Sequence, residues 1–286
     1  MRKAYTKDIK NLVVKVGTSI LTRDGCFDKA LIGKLASEVA GFLKKGRRVS
    51  IVSSGAIGAG MTILKEKKRP KTMEGLQAAA AVGQRYLMQC YEEAFSKHGF
   101  STAQVLLTWE DMASPKRFMN AKRALEEIQK RGLVPVINEN DTVATDEIRF
   151  GDNDRLSSLL SILIGADVLV ILSDTDGLYN ANGSGERIQV VRSADKEIFS
   201  HVKDKKNSFT VGGMRSKLEA IRMSTSSGIP VFLADGRQKN ILRRLFAGED
   251  VGTFFVPDGR KRKARRDWIT HFLEHVHFHK QPAVNS

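Results

Sequence analysis

The sequence predicts an α/β protein, a three-layer αβα sandwich with a mostly parallel central sheet. Three observations predict it. Short runs that are apolar almost throughout alternate with longer segments whose apolar residues recur at helical spacing. The short runs lack the alternation of a half-solvated strand, so both faces of the sheet must be covered by helices. Glycine-rich turns follow two of the runs or precede a helix, the punctuation of strand–turn–helix units. The 286 residues suffice for one large α/β domain or two small ones.

The elements follow in order. Leu12-Val13-Val14-Lys15-Val16 is the first strand, continuous in apolar residues but for one lysine. Residues 30–45 carry a helical apolar stripe, and Gly46 stops it. Residues 49–53 form a strand, 76–96 a long helix that is alanine-rich at its start, and 103–107 a strand. A helix over 120–130 leads to the strand 134–138, and a helix over 153–165 to the strand 168–172. A helix over 214–226 precedes the strand 230–234. Crossovers between parallel neighbours should be right-handed, with ligands beyond the carboxyl ends of the strands. Residues 180–207 are polar and read as an insertion. The sequence divides at 257: residues 1–257 form the α/β domain, and 258–286 a short tail, basic and then histidine-containing.

Composition narrows the function classes. Hydrophobic residues make up 41% and charged residues 28%, which permits a substantial core. Aromatics are only 7%, which disfavours stacking platforms for single-stranded nucleic acid. The net charge is +15. Much of the excess sits in two short clusters, residues 65–71 and 260–266, so nucleic acid is not the expected partner. Two cysteines, Cys26 and Cys90, make neither a disulfide framework nor a metal spacing. No apolar run is long enough to span a bilayer, and residues 1–10 lack the apolar stretch of a signal peptide. A cytoplasmic protein is expected.

The chemistry gathers at strand ends. Lys15 lies inside an apolar strand and must reach its end, because burying an unpaired ammonium is costly. The following Gly17-Thr18-Ser19 offers anion-binding donors, although a lysine snorkelling at a sheet edge would look the same. Lys217 follows the turn Val211-Gly212-Gly213-Met214-Arg215-Ser216 and opens a helix. Gly55-Ala56-Ile57-Gly58-Ala59-Gly60 is another glycine turn, with neither the P-loop nor the dinucleotide spacing, and tight packing explains it equally well. Two lysines on phosphate-type turns suit phosphoryl transfer, which is mostly positioning and charge neutralisation. Gly151-Asp152-Asn153-Asp154 opens a helix, where capping could use one of its polar residues; the functional alternative has one carboxylate orienting the lysines and Asp152 meeting magnesium through water. Asn138 and Asp141 could hold an amine or hydroxyl, or serve the turn. Four of the six histidines lie in the tail, and the body carries no catalytic or metal-type histidine pattern.

At these residues the sequence resembles the amino-acid kinase superfamily, specifically its glutamate branch. The matching stretches are Val13-Val14-Lys15-Val16-Gly17-Thr18-Ser19, Val52-Ser53-Ser54-Gly55-Ala56-Ile57, Val134-Pro135-Val136-Ile137-Asn138-Glu139-Asn140-Asp141, Gly151-Asp152-Asn153-Asp154, Ser173-Asp174-Thr175-Asp176-Gly177-Leu178-Tyr179 and Gly212-Gly213-Met214-Arg215-Ser216-Lys217. The resemblance covers residues 12–255 and implies the amino-acid kinase fold and MgATP-dependent phosphorylation of the γ-carboxylate of L-glutamate, the first step towards proline. It implies that Lys15 and Lys217 contact the transferring phosphate and that Asp154 organises them. It assigns glutamate to Ser54, Asp141 and Asn153, and the nucleotide to Lys15, Ser173, Asp174 and the loop from Val211 through Gly212, Gly213, Met214, Arg215 and Ser216 to Lys217. It further implies feedback inhibition by proline and a homo-oligomer, dimer or tetramer. Two departures stand out. The family's turn reads Gly-Thr-Gly-Gly-Met, where this chain has Thr210 and Val211 in the first two places, and the β-branched Val211 resists a positive φ. Many bacterial members also carry a C-terminal PUA domain. Here the chain stops soon after Arg265-Arg266-Asp267-Trp268-Ile269, so a single-domain form is expected.

Overall fold

The computed structural model describes residues 2–23, 26–143, 153–180, 185–192 and 213–258. Its strands are β1 (Asn11–Val16), β2 (Thr22–Arg23), β3 (Cys26–Phe27), β4 (Arg48–Ser53), β5 (Thr102–Leu107), β6 (Val134–Glu139), β7 (Val168–Ser173), β8 (Val190–Val191), β9 (Val231–Asp235) and β10 (Thr253–Phe255). Its helices, numbered here in chain order, are α1 (Arg2–Thr6), α2 (Thr18–Leu21), α3 (Lys29–Leu43), α4 (Ala56–Leu64), α5 (Met73–Ser96), α6 (Trp109–Ala113), α7 (Pro115–Lys130), α8 (Asn153–Leu163), α9 (Met214–Ser226) and α10 (Ile241–Ala247). The predicted three-layer sandwich is present, with one sheet of order β5-β6-β4-β1-β7-β9-β10-β8. Its pairings are parallel except β9 with β10.

The period-two geometry of β1 sorts its side chains. Leu12, Val14 and Val16 enter the layer packed by α3, α5 and α10, while Val13 enters the layer of α7, α8 and α9. Lys15 therefore belongs to the α8 side. The two layers bury almost all of β1, β4 and β7, which explains why these strands read as continuous apolar runs. The connection from β6 through α8 to β7 passes beneath β4 and β1, so α8 touches β1, β4, β6 and β7. That crossover is the topological switch point of the sheet.

Several boundaries differ from expectation. The long helix starts at Met73, because the Thr72 hydroxyl accepts from the Gly75 N–H and caps it there. The next starts at Pro115, whose fixed φ suits the first helical position. Within residues 180–207, read as an insertion, β8 pairs with β10 at the sheet edge. The glycine turn at 55–60 divides by role. Gly55 makes the turn, with φ +96°. Gly60 and Gly83 make a helix crossing: a Cβ on either would stand 1.8 Å from a carbonyl oxygen, that of Ala79 or Ala56 respectively. Among the described residues no helix is long and apolar enough to cross a membrane.

Candidate active site

Two polar clusters stand side by side at the carboxyl ends of the central strands. The first is charged. Asp154, in the first turn of α8, is fully buried. Its Oδ1 lies 2.5 Å from Lys15 Nζ and its Oδ2 lies 3.2 Å from Lys217 Nζ. The lysines come from β1 and from the first turn of α9, and both are buried. The buried carboxylate holds two ammonium groups side by side, a preorganised pair of cationic donors. The register between the two helices is held by Ser158 Oγ on α8, which donates to the Ala220 carbonyl of α9 at 2.7 Å.

Asp174, at the end of β7, completes this side. Burial alone would raise its carboxyl. Hydrogen bonds from Ser173 and Ser19, a backbone N–H and the Lys217 charge together hold it below the usual carboxylate range. Gly17 lets β1 turn into α2 with its N–H on the Leu172 carbonyl at 3.0 Å. A Cβ there would sit 3.7 Å from Lys15 Nζ and 3.8 Å from Ser19 Oγ, so Gly17 borders both groups.

The second cluster is neutral. Asn153 Nδ2 donates to the Ser53 carbonyl at 2.9 Å, to Ser54 Oγ at 3.1 Å and to Asn138 Oδ1 at 2.8 Å. Asn138 Oδ1 also accepts from the Glu139 N–H, and its Nδ2 donates to Gln84 Oε1 at 2.9 Å. Two backbone groups fix every amide in this chain. The Ser53 carbonyl can only accept, so the Asn153 nitrogen must face it. The Glu139 N–H can only donate, so Asn138 presents oxygen to it and nitrogen to Gln84. Gln84 Nε2 is then left buried with no hydrogen-bond partner. Asp141 lies at the end of this cluster, half-buried, its carboxyl raised to about 6 by burial, with the Arg69 charge opposing.

Lys15, Asp154 and Lys217 are brought together, with Ser173 and Asp174 beside them. Ser54 and Asn153 are brought together with Asn138, and Asp141 follows on the same turn. Met214, Arg215 and Ser216 lead α9 towards Lys217. Asp152, Val211 and Gly212, together with Thr210 and the tail from residue 259, lie outside the described residues. Ser19, Gln84 and Ser158 were not singled out as site residues by sequence reasoning. A glutamine in an alanine-rich helix and a serine in an apolar one are the faint signals that mark the last two.

The amino acid kinase family profile matches residues 10–235, and the chain belongs to that family. Among curated proteins it is 43% identical over 278 residues to the glutamate 5-kinase of Geobacter metallireducens, covering 96% of this chain and 74% of the relative. It is 40% identical over 279 residues to the glutamate 5-kinase of Pelobacter propionicus, covering 96% and 75%. It is 42% identical over 267 residues to that of Hydrogenovibrio crunogenus, covering 92% and 71%. Among solved structures the fold is similar to carbamate kinase from Giardia lamblia bound to AMP-PNP, with TM-score 0.59 and 17% identity over 87% of this chain and 99% of that one.

Proposed function

We propose that the protein transfers the γ-phosphoryl group of ATP to the γ-carboxylate of L-glutamate, giving L-glutamyl 5-phosphate and ADP, the first step of proline biosynthesis. The observation that carries this reading is the junction of the two clusters at consecutive residues: Asn153 ends the neutral one and Asp154 organises the charged one. An acceptor held by the first would face a phosphate held by the second. The names of the relatives point to the same acceptor.

The chemistry follows from charge. A γ-carboxylate is ionised at neutral pH and needs no base to attack. Among the described residues the sole histidine, His98, follows α5 at the amino end of β5, far from the strand ends that carry the site. One carboxylate oxygen attacks the γ-phosphorus while the bond to the β,γ-bridging oxygen breaks, and the electron pair leaves on ADP. Lys15 and Lys217 offset the charge that moves onto the transferring group and the leaving oxygen. Each ammonium carries three N–H donors, so one directed at Asp154 leaves others for phosphate oxygens. Asp154 sets their spacing and keeps two like charges side by side in a buried place. Ser173, Asp174 and the loop from 211 to 217 take the nucleotide, and Ser54, Asn153 and Asp141 the glutamate.

Magnesium would accompany ATP as the counter-ion of its phosphates and would supply further charge neutralisation. Both oxygens of Asp154 face ammonium nitrogens, which makes it a poor direct ligand for the ion. Asp174 and Asp152 would meet it through water. The family relationship carries two further expectations: proline competes at or near the glutamate side, and the protein is a dimer or tetramer.

Incubating the protein with MgATP and single amino acids, and following ADP release and hydroxamate formation, tests the assignment. Glutamate-dependent ADP release with hydroxamate is expected. Turnover with another carboxylate and none with glutamate would reassign the acceptor within the family.

A further inference from the structure

The face of the sheet opposite the catalytic lysines carries a groove that the proposed reaction leaves unused. One part, about 550 Å³, lies between α3 and the loop 236–240 and reaches down to Val16 and Leu172. A second part, about 470 Å³, continues along α3 and α10 past Phe42 and Phe246, and the two share Ser37, Glu38 and Asn240. Together they fall in the size range of small-molecule sites.

Three features of the groove point to an anion with an apolar body. First, its floor is apolar while Lys34, Arg237, Lys239, Lys45, Arg47 and Arg243 stand along it. Second, Glu38 is the one carboxylate among the described residues that line it, and that carboxylate is already committed. It is half-buried and accepts from the backbone N–H groups of Ile241, Leu242 and Arg243, closing the first turn of α10. The cations therefore lack an acid of their own within the groove. Third, α3 presents Gly33 and Gly41 to the groove, and a Cβ added at either would meet nothing within 4 Å. Glycine weakens a helix interior relative to alanine, and no packing neighbour requires it here. Both glycines keep the groove open. The surplus of positive charge disfavours a second copy of the chain pressing the same face against it.

The groove wall is also wired to the nucleotide side. Arg237 Nη2 donates to the Ser19 carbonyl at 2.6 Å, and the Gly236 N–H donates to the Ser173 carbonyl at 3.0 Å. Ser19 and Ser173 are the two hydroxyls that hold Asp174. A Cβ on Gly236 would stand 2.5 Å from the end of Ile20, so this loop is packed directly beneath α2.

We propose that the groove between α3 and α10 is a second ligand site, for a small organic anion with a phosphate-, sulfonate- or carboxylate-type head on an apolar body, and that its occupancy is felt at the nucleotide through Arg237 and Ser19. An anion drawing on Arg237 competes with the Ser19 carbonyl for the same guanidinium, and α2 is the element released. The binding claim is independent of which acceptor the enzyme uses; only its effect on turnover rests on the glutamate kinase reading.

Fluorescence titration with 1-anilinonaphthalene-8-sulfonate, on the full chain saturated with magnesium and a non-hydrolysable ATP analogue, tests the binding. Saturable binding is expected, displaced by AMP more readily than by inorganic phosphate. Gly33→Phe fills the groove, and Lys34→Glu with Lys239→Glu reverses two exposed rim charges. Each should weaken the probe at least about tenfold, with unchanged circular dichroism and elution volume. In the glutamate assay the same probe should raise the KM for ATP at least about twofold in the wild type and not in Arg237→Ala. Affinity unaltered in both groove variants would overturn the site. So would a change of oligomeric state in place of lost binding, which would make the face a protein interface. An unmoved KM for ATP with the groove occupied would overturn the coupling.

Discussion

The charged and neutral clusters are built by opposite means. At Lys15, Asp154 and Lys217, position is set by ion pairs from three elements that are distant in sequence, and on the proposed reading their cationic N–H donors take the phosphate. At Gln84, Asn138, Asn153 and Ser54 there is no net charge. Orientation is everything, and it is transmitted from two backbone groups through a chain of amides. A reacting phosphate needs neutralisation as charge migrates, whereas an amino acid must be held in one pose so that a single carboxylate faces the phosphorus. The difference predicts that damage to the first cluster appears in kcat and damage to the second in the KM for glutamate.

The largest effect should come from Asp154→Asn. It leaves two buried ammonium groups without their shared carboxylate, and breaking a buried pair on one side costs about 3–5 kcal/mol. We expect a lower melting temperature together with kcat reduced by about 10³ or more, read by thermal denaturation and steady-state kinetics. A variant with native stability and normal kcat would show that the lysines need no organiser. Lys15→Ala comes next. Asp154 keeps Lys217, so the fold should hold, while kcat falls by about 10²–10³ with the KM for glutamate little changed.

The glutamate half should show its own pH dependence through Asp141. Burial raises this carboxyl to about 6. The folded protein therefore binds the proton more tightly than the unfolded chain, and between about pH 4 and 6 raising the pH costs stability, since the charged form is the one burial penalises. Binding has the opposite sign. On the proposed assignment the ionised carboxylate receives the substrate's ammonium, so kcat/KM for glutamate should fall about tenfold per pH unit below 6. Asp141→Asn should lower kcat/KM at pH 8 and abolish that inflection; an inflection that survives the substitution would place the titrating group elsewhere.

Gln84→Leu should have the smallest effect of the four and separates the clusters most cleanly. It removes the acceptor of the buried Asn138 Nδ2–H, and the loss of one such hydrogen bond is worth about 1 kcal/mol. The KM for glutamate should rise about five- to tenfold, with the KM for ATP unchanged. Equal changes in both would mean that Gln84 serves the fold as a whole and not the orientation of Asn138 and Asn153.

How legible these features are depends on how far apart the participants lie along the chain. Five of the six main parallel strands, β1, β4, β6, β7 and β9, can be read because burial on both faces forces continuous apolar runs, while the half-buried edge strand β5 is marked only by its short apolar end. Lys15 can be read for the same reason inverted: an ammonium in such a run is out of place unless it reaches a strand end. Lys217 and Asp154 are each marked by a glycine turn or a polar helix start. The short strands β8 and β10 are two and three residues long and carry too little pattern to be seen. The start of α7 at Pro115 follows the five-residue α6 after a single residue, so local signals compete there. Gln84 carries only the faint signal of a polar residue in an alanine-rich helix, since a helix tolerates glutamine anywhere and only Asn138 gives it a task.

The sequence by itself determined the class of fold, the strand ends that carry the chemistry and, through resemblance to a family, the phosphate being moved and its acceptor. These follow from local physics, the burial of apolar runs and the cost of misplaced charge, which act over a few residues at a time. Tertiary contacts alone set Gln84 behind Asn138 and place a basic groove on the far side of the same sheet. Each depends on packing between distant elements: α5 beside the end of β6, or α3 against α10. Such contacts join residues tens to hundreds of positions apart, and no local pattern encodes their separation in space.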